Sequence, residues 1–284
     1  DYLFYSWNGS KHLKYKDAVK IYFTGENDVP DFNICDYAIG FHPITFNDRY
    51  FRLPLYVIYD CFYKLNKSDT RQKNDKQLLE RKFCSFVVSN SRAADPIRDH
   101  FFNELNKYKK IDSGGRYLNN IGYFVPDKYE FIRNYKFNLA FENSTAPGYT
   151  TEKLVEPLTE NTIPIYWGNP EVDKDFNKKA FICINDFNTI QEAIEEIIRI
   201  DNDDEAYMKM INESPFKIGQ KQPEKWLEDF DNYLSNIFIQ HKDIARRITQ
   251  YGYSRFYRNR NHILSKFNTL PGIKYIIRKF AYKW

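Results

Sequence analysis

Between Phe137 and Gly168 the chain reads FNLAFENSTAPGYTTEKLVEPLTENTIPIYWG, and no other stretch restricts the fold as strongly. An apolar run over 136–141, a polar turn ending in Thr150-Thr151-Glu152-Lys153, a helical pattern over 151–160 and a second apolar run over 162–167 predict a strand–loop–helix–strand unit. Its polar residues crowd the front of the helix. That is where α/β proteins hold phosphate groups, so a nucleotide-linked substrate is the first expectation.

The same alternation extends along the chain. Strands are expected over 17–24, 37–41, 83–89 and 180–184, and helices over 95–108, 127–134 and 188–200, a pattern that argues for parallel sheets covered by helices. No GxGxxG occurs, so the dinucleotide fingerprint is absent. The 284 residues suffice for two domains. The polar run KLNKSDTRQKNDKQ within 62–82 serves as the boundary, giving a first domain over 1–80, a second over 81–240 and a tail over 241–284. The chain does not begin with Met and reads as an excised piece lacking its first strand.

Cys35, Cys61, Cys84 and Cys183 form no CxxC pair and accompany no histidine cluster, which argues against a zinc site or a disulfide scaffold and for buried thiols in a reducing cytoplasm. No leader and no apolar run of about 20 residues is present, so a soluble or peripheral protein is expected. Sequons occur at Asn8, Asn66, Asn143 and Asn212. Asn143 falls in the polar turn, where a glycan would block access, and secretory processing is not expected. Charge is uneven: residues 241–284 carry 11 Lys/Arg against the acid Asp243, in a chain of net charge +4. In that tail Arg246, Arg247, Arg255, Arg258, Arg260, Lys274, Arg278 and Lys279 alternate with aromatics and Trp284. This composition suits an anionic membrane surface rather than nucleic acid, while a helix packed on its domain with solvated arginines is the plainer reading.

Locally, Thr150 is the expected N-cap, placing Glu152 and Lys153 in the first helical turn. A lysine there opposes the helix dipole unless something negative binds in front of it, and a diphosphate would reverse the sign. Asn143, Ser144 and Tyr149 could complete a cradle. Glu152 could accept hydrogen bonds from a ribose diol or simply stabilise the helix start. Glu142 could face the same loop or point into solvent. Asp173/Asp175 and Asp201/Asp203/Asp204 are expected to be helix caps or solvated acids rather than metal ligands.

The run FENS…YTTEKLVEPLTENTIPIYWGNPEVDKDF, with FTGENDVPDFNICDYAIGF, FNDRYFRLPLY and FCSFVVSNSRAADPIRDHFFNELNKYKKIDSGG in the same order, resembles the bacterial α1,3-fucosyltransferases of glycosyltransferase family 10. The resemblance spans about 1–212. It implies a GT-B fold, two Rossmann-like domains facing a cleft, and inverting transfer of fucose from GDP-fucose to the GlcNAc of an N-acetyllactosamine-type acceptor in a Lewis-type lipopolysaccharide glycan. Glu26, in the TGEN motif after a strand, is then the general base; a glutamate is ordinarily ionised at neutral pH. Lys153 neutralises the diphosphate without a metal, and Asn143, Tyr149 and Glu152 match donor-site positions, Glu152 serving the ribose. Where relatives carry an arginine after the double glycine this chain has Leu118, so either Arg116 substitutes through a loop shift or that contact is lost. Pro157 is expected to bend or end the helix. Asp48, Arg49 and Tyr50 are weak acceptor-side candidates, an Asp48–Arg49 pair in a structural turn being the alternative, and Trp167 is expected to pack. The implied location is cytoplasmic, peripheral to the inner membrane. Competing readings are another GDP-sugar donor, or a silent nucleotide- or anionic-surface-binding module.

Overall fold

Parallel pairing organises both sheets of the molecule. The computed structural model describes residues 1–7, 11–67, 75–89, 94–217 and 219–267. The first sheet takes β1 (Tyr2–Tyr5), β2 (Val19–Phe23), β3 (Tyr37–Gly40) and β4 (Tyr50–Arg52) in that spatial order, each pair parallel. Central β2 and β3 are buried almost throughout, which explains why they read as continuous apolar runs rather than alternating ones.

Helices α1 (Asp60–Lys67) and α2 (Asp75–Leu79) lead into the second sheet. There follow β5 (Lys82–Phe86), α3 (Ile97–Leu105), β6 (Ile111–Ser113), α4 (Lys128–Ile132), β7 (Tyr135–Phe141), α5 (Glu152–Thr159), β8 (Ile163–Trp167), β9 (Ile182–Cys183), α6 (Ile190–Asp201) and α7 (Asp204–Asn212). The five strands lie in the order β6-β5-β7-β8-β9, all parallel. From β5 the chain moves outward to β6 and then returns to lay β7 on the other side of β5. That reversal makes the β5/β7 junction a topological switch point, where the crevice beyond the carboxyl ends of the strands receives ligands. All seven residues of β7 are buried, as befits the middle of the sheet. Helices α8 (Pro223–Phe238), α9 (Lys242–Ala245) and α10 (Gly252–Phe267) complete the described chain.

The chain divides into two units, one comprising Asp1–Gly40, Ile44–Leu53 and Glu228–Trp284, the other Phe41–Pro43 and Pro54–Leu227. This differs from the boundary expected near residue 80. The polar run that suggested a connector flanks buried anchors, Cys61, Phe62 and Leu65 before it and Leu78 after it, and α1 packs on α5 inside the second unit. Residues 68–74 of that run, like Asn8 of the first sequon, lie outside the described residues.

The C-terminal segment is not set apart as a tail over 241–284: its described part belongs to the first unit, in line with the reading of a helix packed on its domain. The buried carboxylate of Asp36 accepts the backbone N–H groups of Lys20, Arg247 and Ile248 at 2.7, 2.8 and 2.9 Å. A buried carboxylate needs such donors, and the returning chain supplies two of them. Tyr233 stacks on Phe51 and donates to the carbonyls of Ala38 and Arg49, and the Tyr257 hydroxyl donates to Asp31. Lys274, Arg278, Lys279 and Trp284 lie outside the described residues. No helix among the described residues is long and apolar enough to cross a membrane. All four cysteines are buried and unbridged.

Candidate functional site

A cavity of about 350 Å³ opens at the β5/β7 switch point. Its wall includes Val88 and Ser89 beyond β5, Asn143 beyond β7, Lys128 at the start of α4, and Glu152 and Lys153 at the start of α5. Three of the sequence candidates, Asn143, Glu152 and Lys153, therefore line one hollow. Tyr149 is buried against Phe41 and Leu55, and lies close enough to Lys153 to add to its field.

The start of α5 is held differently from the sequence expectation. Thr151, not Thr150, is the N-cap, its hydroxyl accepting the Lys153 N–H at 3.4 Å. The Thr150 hydroxyl instead accepts from the Asn169 amide at 3.0 Å, and Asn169 Oδ1 in turn takes the N–H of Gly148 at 2.9 Å. These bonds fix the turn preceding the helix. The helix runs through Pro157 to Thr159 without stopping at it. Only one turn remains beyond the lost donor, and the freed end is rebuilt by Glu160 and Thr162 N–H groups donating to the Pro157 carbonyl, each at 3.0 Å.

Glu142 resolves the two readings left open for it: the carboxylate is fully buried. It accepts the Thr151 N–H at 2.7 Å and the Thr151 hydroxyl at 2.8 and 3.0 Å, and lies 3.4 Å from Lys153 Nζ. Burial pushes its carboxyl above the usual range, with Lys153 and Thr151 opposing that shift. Lys153 Nζ also meets Glu152 at 3.1 Å. Burial alone would lower the Lys153 ammonium, but Glu142 and Glu152 hold it above the ordinary lysine value. The lysine misplaced against the helix dipole thus already has two carboxyl partners, Glu142 and Glu152.

Arg116 is exposed on the loop after β6 and is not among the residues lining the cavity. Sequence reasoning missed Arg98, a fully buried guanidinium in the first turn of α3. Its backbone N–H donates to the Asp95 carbonyl at 3.2 Å, and Asp95 N–H donates to the Asn143 carbonyl at 2.8 Å. The guanidinium also lies 5.5 Å from the Tyr117 ring, and Tyr117 N–H donates to the Val88 carbonyl at 3.0 Å. Arg98 is thus connected to Asn143 and Val88 through Asp95 and Tyr117, while its guanidinium lies 3.9 Å from Asp99 and, like Arg116, does not line the cavity. Lys128 is a second cation on the wall, ion-paired with Glu156. Tyr59 was missed too; burial and the adjoining Glu152 carboxylate raise its phenol. Tyr59 had no signal in sequence, because it approaches Glu152 from an element remote in the chain.

Two glycines keep this architecture close-packed. A methyl on Gly115 would sit 2.0 Å from the Val88 carbonyl oxygen, in the cavity wall. On Gly168 it would sit 2.4 Å from Glu142 Cγ and 2.8 Å from the Tyr166 hydroxyl. Gly168→Ala is expected to lower stability by about 1–3 kcal/mol through overpacking. Urea denaturation measures this directly, and an unchanged midpoint would contradict the packing described.

In the first unit, Glu26 follows the carboxyl end of β2 and is exposed. Its N–H donates to the Thr24 hydroxyl at 3.0 Å, and its carbonyl accepts the Asp28 N–H at 2.7 Å, so the turn is fixed by backbone and the carboxylate takes no part. The expected Asp48–Arg49 pair is replaced by other partners. Asp48 pairs with Arg247, while Arg49 donates to the carbonyls of Asp36, Cys35 and Phe32 at 2.8, 2.8 and 3.1 Å, with Phe32 and Phe46 against its guanidinium. Tyr50 is buried. Trp167 is buried and stacked on Phe141. Asp201 pairs with Lys109 and Lys136, and Asp203 caps α7; no group of three or more potential metal ligands occurs among the described residues.

A hollow bounded by an asparagine, a glutamate and a lysine at a helix start, at the switch point of a five-stranded parallel sheet, invites comparison with nucleotide-sugar enzymes. The family model "Glycosyltransferase family 10 (fucosyltransferase) C-term" matches residues 78–228, and "Alpha-(1,3)-fucosyltransferase FucT N-terminal domain" matches 1–59. The chain belongs to glycosyltransferase family 10. Alpha-(1,3)-fucosyltransferase FucT of Helicobacter pylori is 40% identical over 237 residues, covering 72% of this chain and 49% of that relative. The chain thus spans about half the length of this curated relative. A solved α1,3-fucosyltransferase with GDP-fucose aligns with a TM-score of 0.68 at 37% identity, covering 78% of this chain and 76% of that one. Another solved α1,3-fucosyltransferase gives 0.72 at 36% identity, covering 83% and 78%. The mixed α/β fold with parallel sheets matches these GT-B-like family 10 structures.

Proposed function

We propose that the chain is an inverting α1,3-fucosyltransferase that transfers fucose from GDP-fucose to O3 of GlcNAc in an N-acetyllactosamine-type acceptor. The observation that carries this reading is the switch-point cavity with Asn143, Glu152 and Lys153 on its wall. Its support from outside the chain is the likeness to an α1,3-fucosyltransferase solved with GDP-fucose. In the proposed reaction the acceptor O3 forms a bond to the fucose anomeric carbon from the face opposite the diphosphate. The bond from that carbon to the diphosphate oxygen breaks, and Glu26 takes the acceptor proton.

Lys153 and Arg98 are assigned to the leaving diphosphate, because Lys153 alone is outnumbered by its two carboxylates. Placing donors where charge develops is the usual large contribution to such steps. Glu152 is assigned to the ribose, and Asn143 and Tyr149 to holding the donor. Exposed Tyr251, Tyr253 and Phe256, beside the arginines of α10, support peripheral contact with an anionic membrane carrying a lipid-linked Lewis-type acceptor.

The test is incubation with GDP-fucose and N-acetyllactosamine, with linkage analysis of the product. A trisaccharide fucosylated at O3 is expected, made at an undiminished rate in EDTA. Arg98→Ala is expected to lower kcat/KM about 100-fold or more, whereas Arg116→Ala changes it less than about threefold. Absence of any product from the wild-type protein would sink the proposal.

A further inference from the structure

The first unit holds a second hollow, of about 380 Å³, that the proposed reaction does not use. Its wall comes from the segment before β2, the stretch between α9 and α10, and the first turns of α10. Lys16, Lys20, Arg246, Arg255 and Arg258 line it, with Asp17 the one acid among the described lining residues. Such a concentration of one sign in a concave wall focuses the field on its interior.

Lys20 is the informative member. It sits within β2 with only 6% of its surface exposed, and its ammonium has no carboxylate within ion-pair distance among the described residues. Nearby Asp36 spends its oxygens on three backbone amides. Burial draws the Lys20 ammonium below the ordinary lysine range; Asp36 opposes this, and Arg246 and Arg258 reinforce it. Two of the arginines are held by carbonyls, which orient a guanidinium without neutralising it, and Arg246 also meets Asp17. Arg258 donates to the Thr249 and Asn33 carbonyls at 2.6 and 3.3 Å, and Arg246 donates to the Lys16 carbonyl at 3.1 Å with Asp17 at 3.8 Å. Like charges held around a buried ammonium repel one another until an anion enters.

We propose that this hollow is a binding site for a phosphate ester. A phosphomonoester brings close to two negative charges and three strong acceptor oxygens, where a carboxylate brings one charge, and the arginine fork matches phosphate bidentately. The volume is that of a small-molecule pocket, enough for the ester's organic part beside the phosphate. The site is independent of the donor cavity and of the reaction proposed there.

Calorimetric titration of the full chain with inorganic pyrophosphate tests it, with Lys153→Ala included so that the donor cavity is accounted for. Saturable binding is expected to persist in Lys153→Ala and to weaken at least about tenfold in Lys20→Met and in Arg255→Glu, the loss of a charge-assisted contact. Arg255 is exposed, so its reversal leaves the fold intact. A parallel arm sediments the protein with phosphatidylcholine vesicles with or without phosphatidic acid. Capture by the acidic vesicles that Lys20→Met weakens, a residue too buried to touch a membrane surface otherwise, assigns the phosphate to a lipid headgroup; pyrophosphate binding without such capture assigns it to a soluble ester. Binding indifferent to both substitutions, or no binding in either arm, overturns the proposal.

Discussion

Replacing Lys153 by Ala is expected to lower kcat/KM for fucose transfer about 100- to 1,000-fold, the range for removing one preorganised charge from a transition state. The loss should fall mainly on kcat, since charge on the leaving diphosphate grows as the glycosidic bond breaks. Stability should fall as well. Lys153 is the cation beside fully buried Glu142, and its removal leaves that carboxylate with Thr151 as its donor. Breaking a buried pair in this way costs about 3 kcal/mol. The two effects can be separated by adding Glu142→Gln. An amide still accepts the Thr151 N–H but carries no charge, so the double variant should recover most of the melting temperature while remaining as inactive as Lys153→Ala. Recovery of activity along with stability would mean that Lys153 serves the fold alone.

Glu26→Gln is expected to reduce kcat by about 100- to 10,000-fold, the usual contribution of a positioned general base. Here the fold is not at stake. The turn is held by Thr24 and by backbone bonds, and the carboxylate is exposed, so thermal stability should stay within about 0.5 kcal/mol of wild type. GDP binding, measured calorimetrically, should be unchanged, because the switch-point cavity proposed to hold the donor is lined by residues of the second unit. Full activity in Glu26→Gln would remove this residue from the proton transfer and leave the donor assignments standing.

Why the Lys153 prediction has two parts shows where sequence reasoning stopped. The helix start, its lysine and its place after an apolar strand were all legible, because each is local: apolar spacing, a threonine cap, a polar turn. The sequence reading looks to a bound diphosphate for the negative charge facing Lys153, whereas the structure places two carboxyl groups of the chain there. One of these is Glu142, 11 positions earlier and fully buried, which no spacing rule distinguishes from a solvated strand-end acid. Thr150 and Thr151 were likewise indistinguishable as caps until Asn169 claimed the hydroxyl of Thr150. Arg98 illustrates the same limit. Read along the chain it belongs to the surface of a helix, and only the packing of α3 beside Asn143 and Tyr117 buries it.

Sequence by itself determined the alternation of strands and helices, the parallel sheets, the family and the cluster Asn143, Glu152 and Lys153. The elements and the cluster follow from periodicity and from groups close together in the chain, the family from the resemblance of its ordered motifs. Tertiary structure alone decided that β6 and β7 flank β5, which creates the switch-point cavity, and that the basic segment after His241 returns to the first unit to satisfy Asp36. It also gathered Lys20, Arg246 and Arg258 around one hollow. The physical reason is common to all three. Burial and charge pairing depend on which distant residues are brought together, and a linear pattern records only what each segment needs covered.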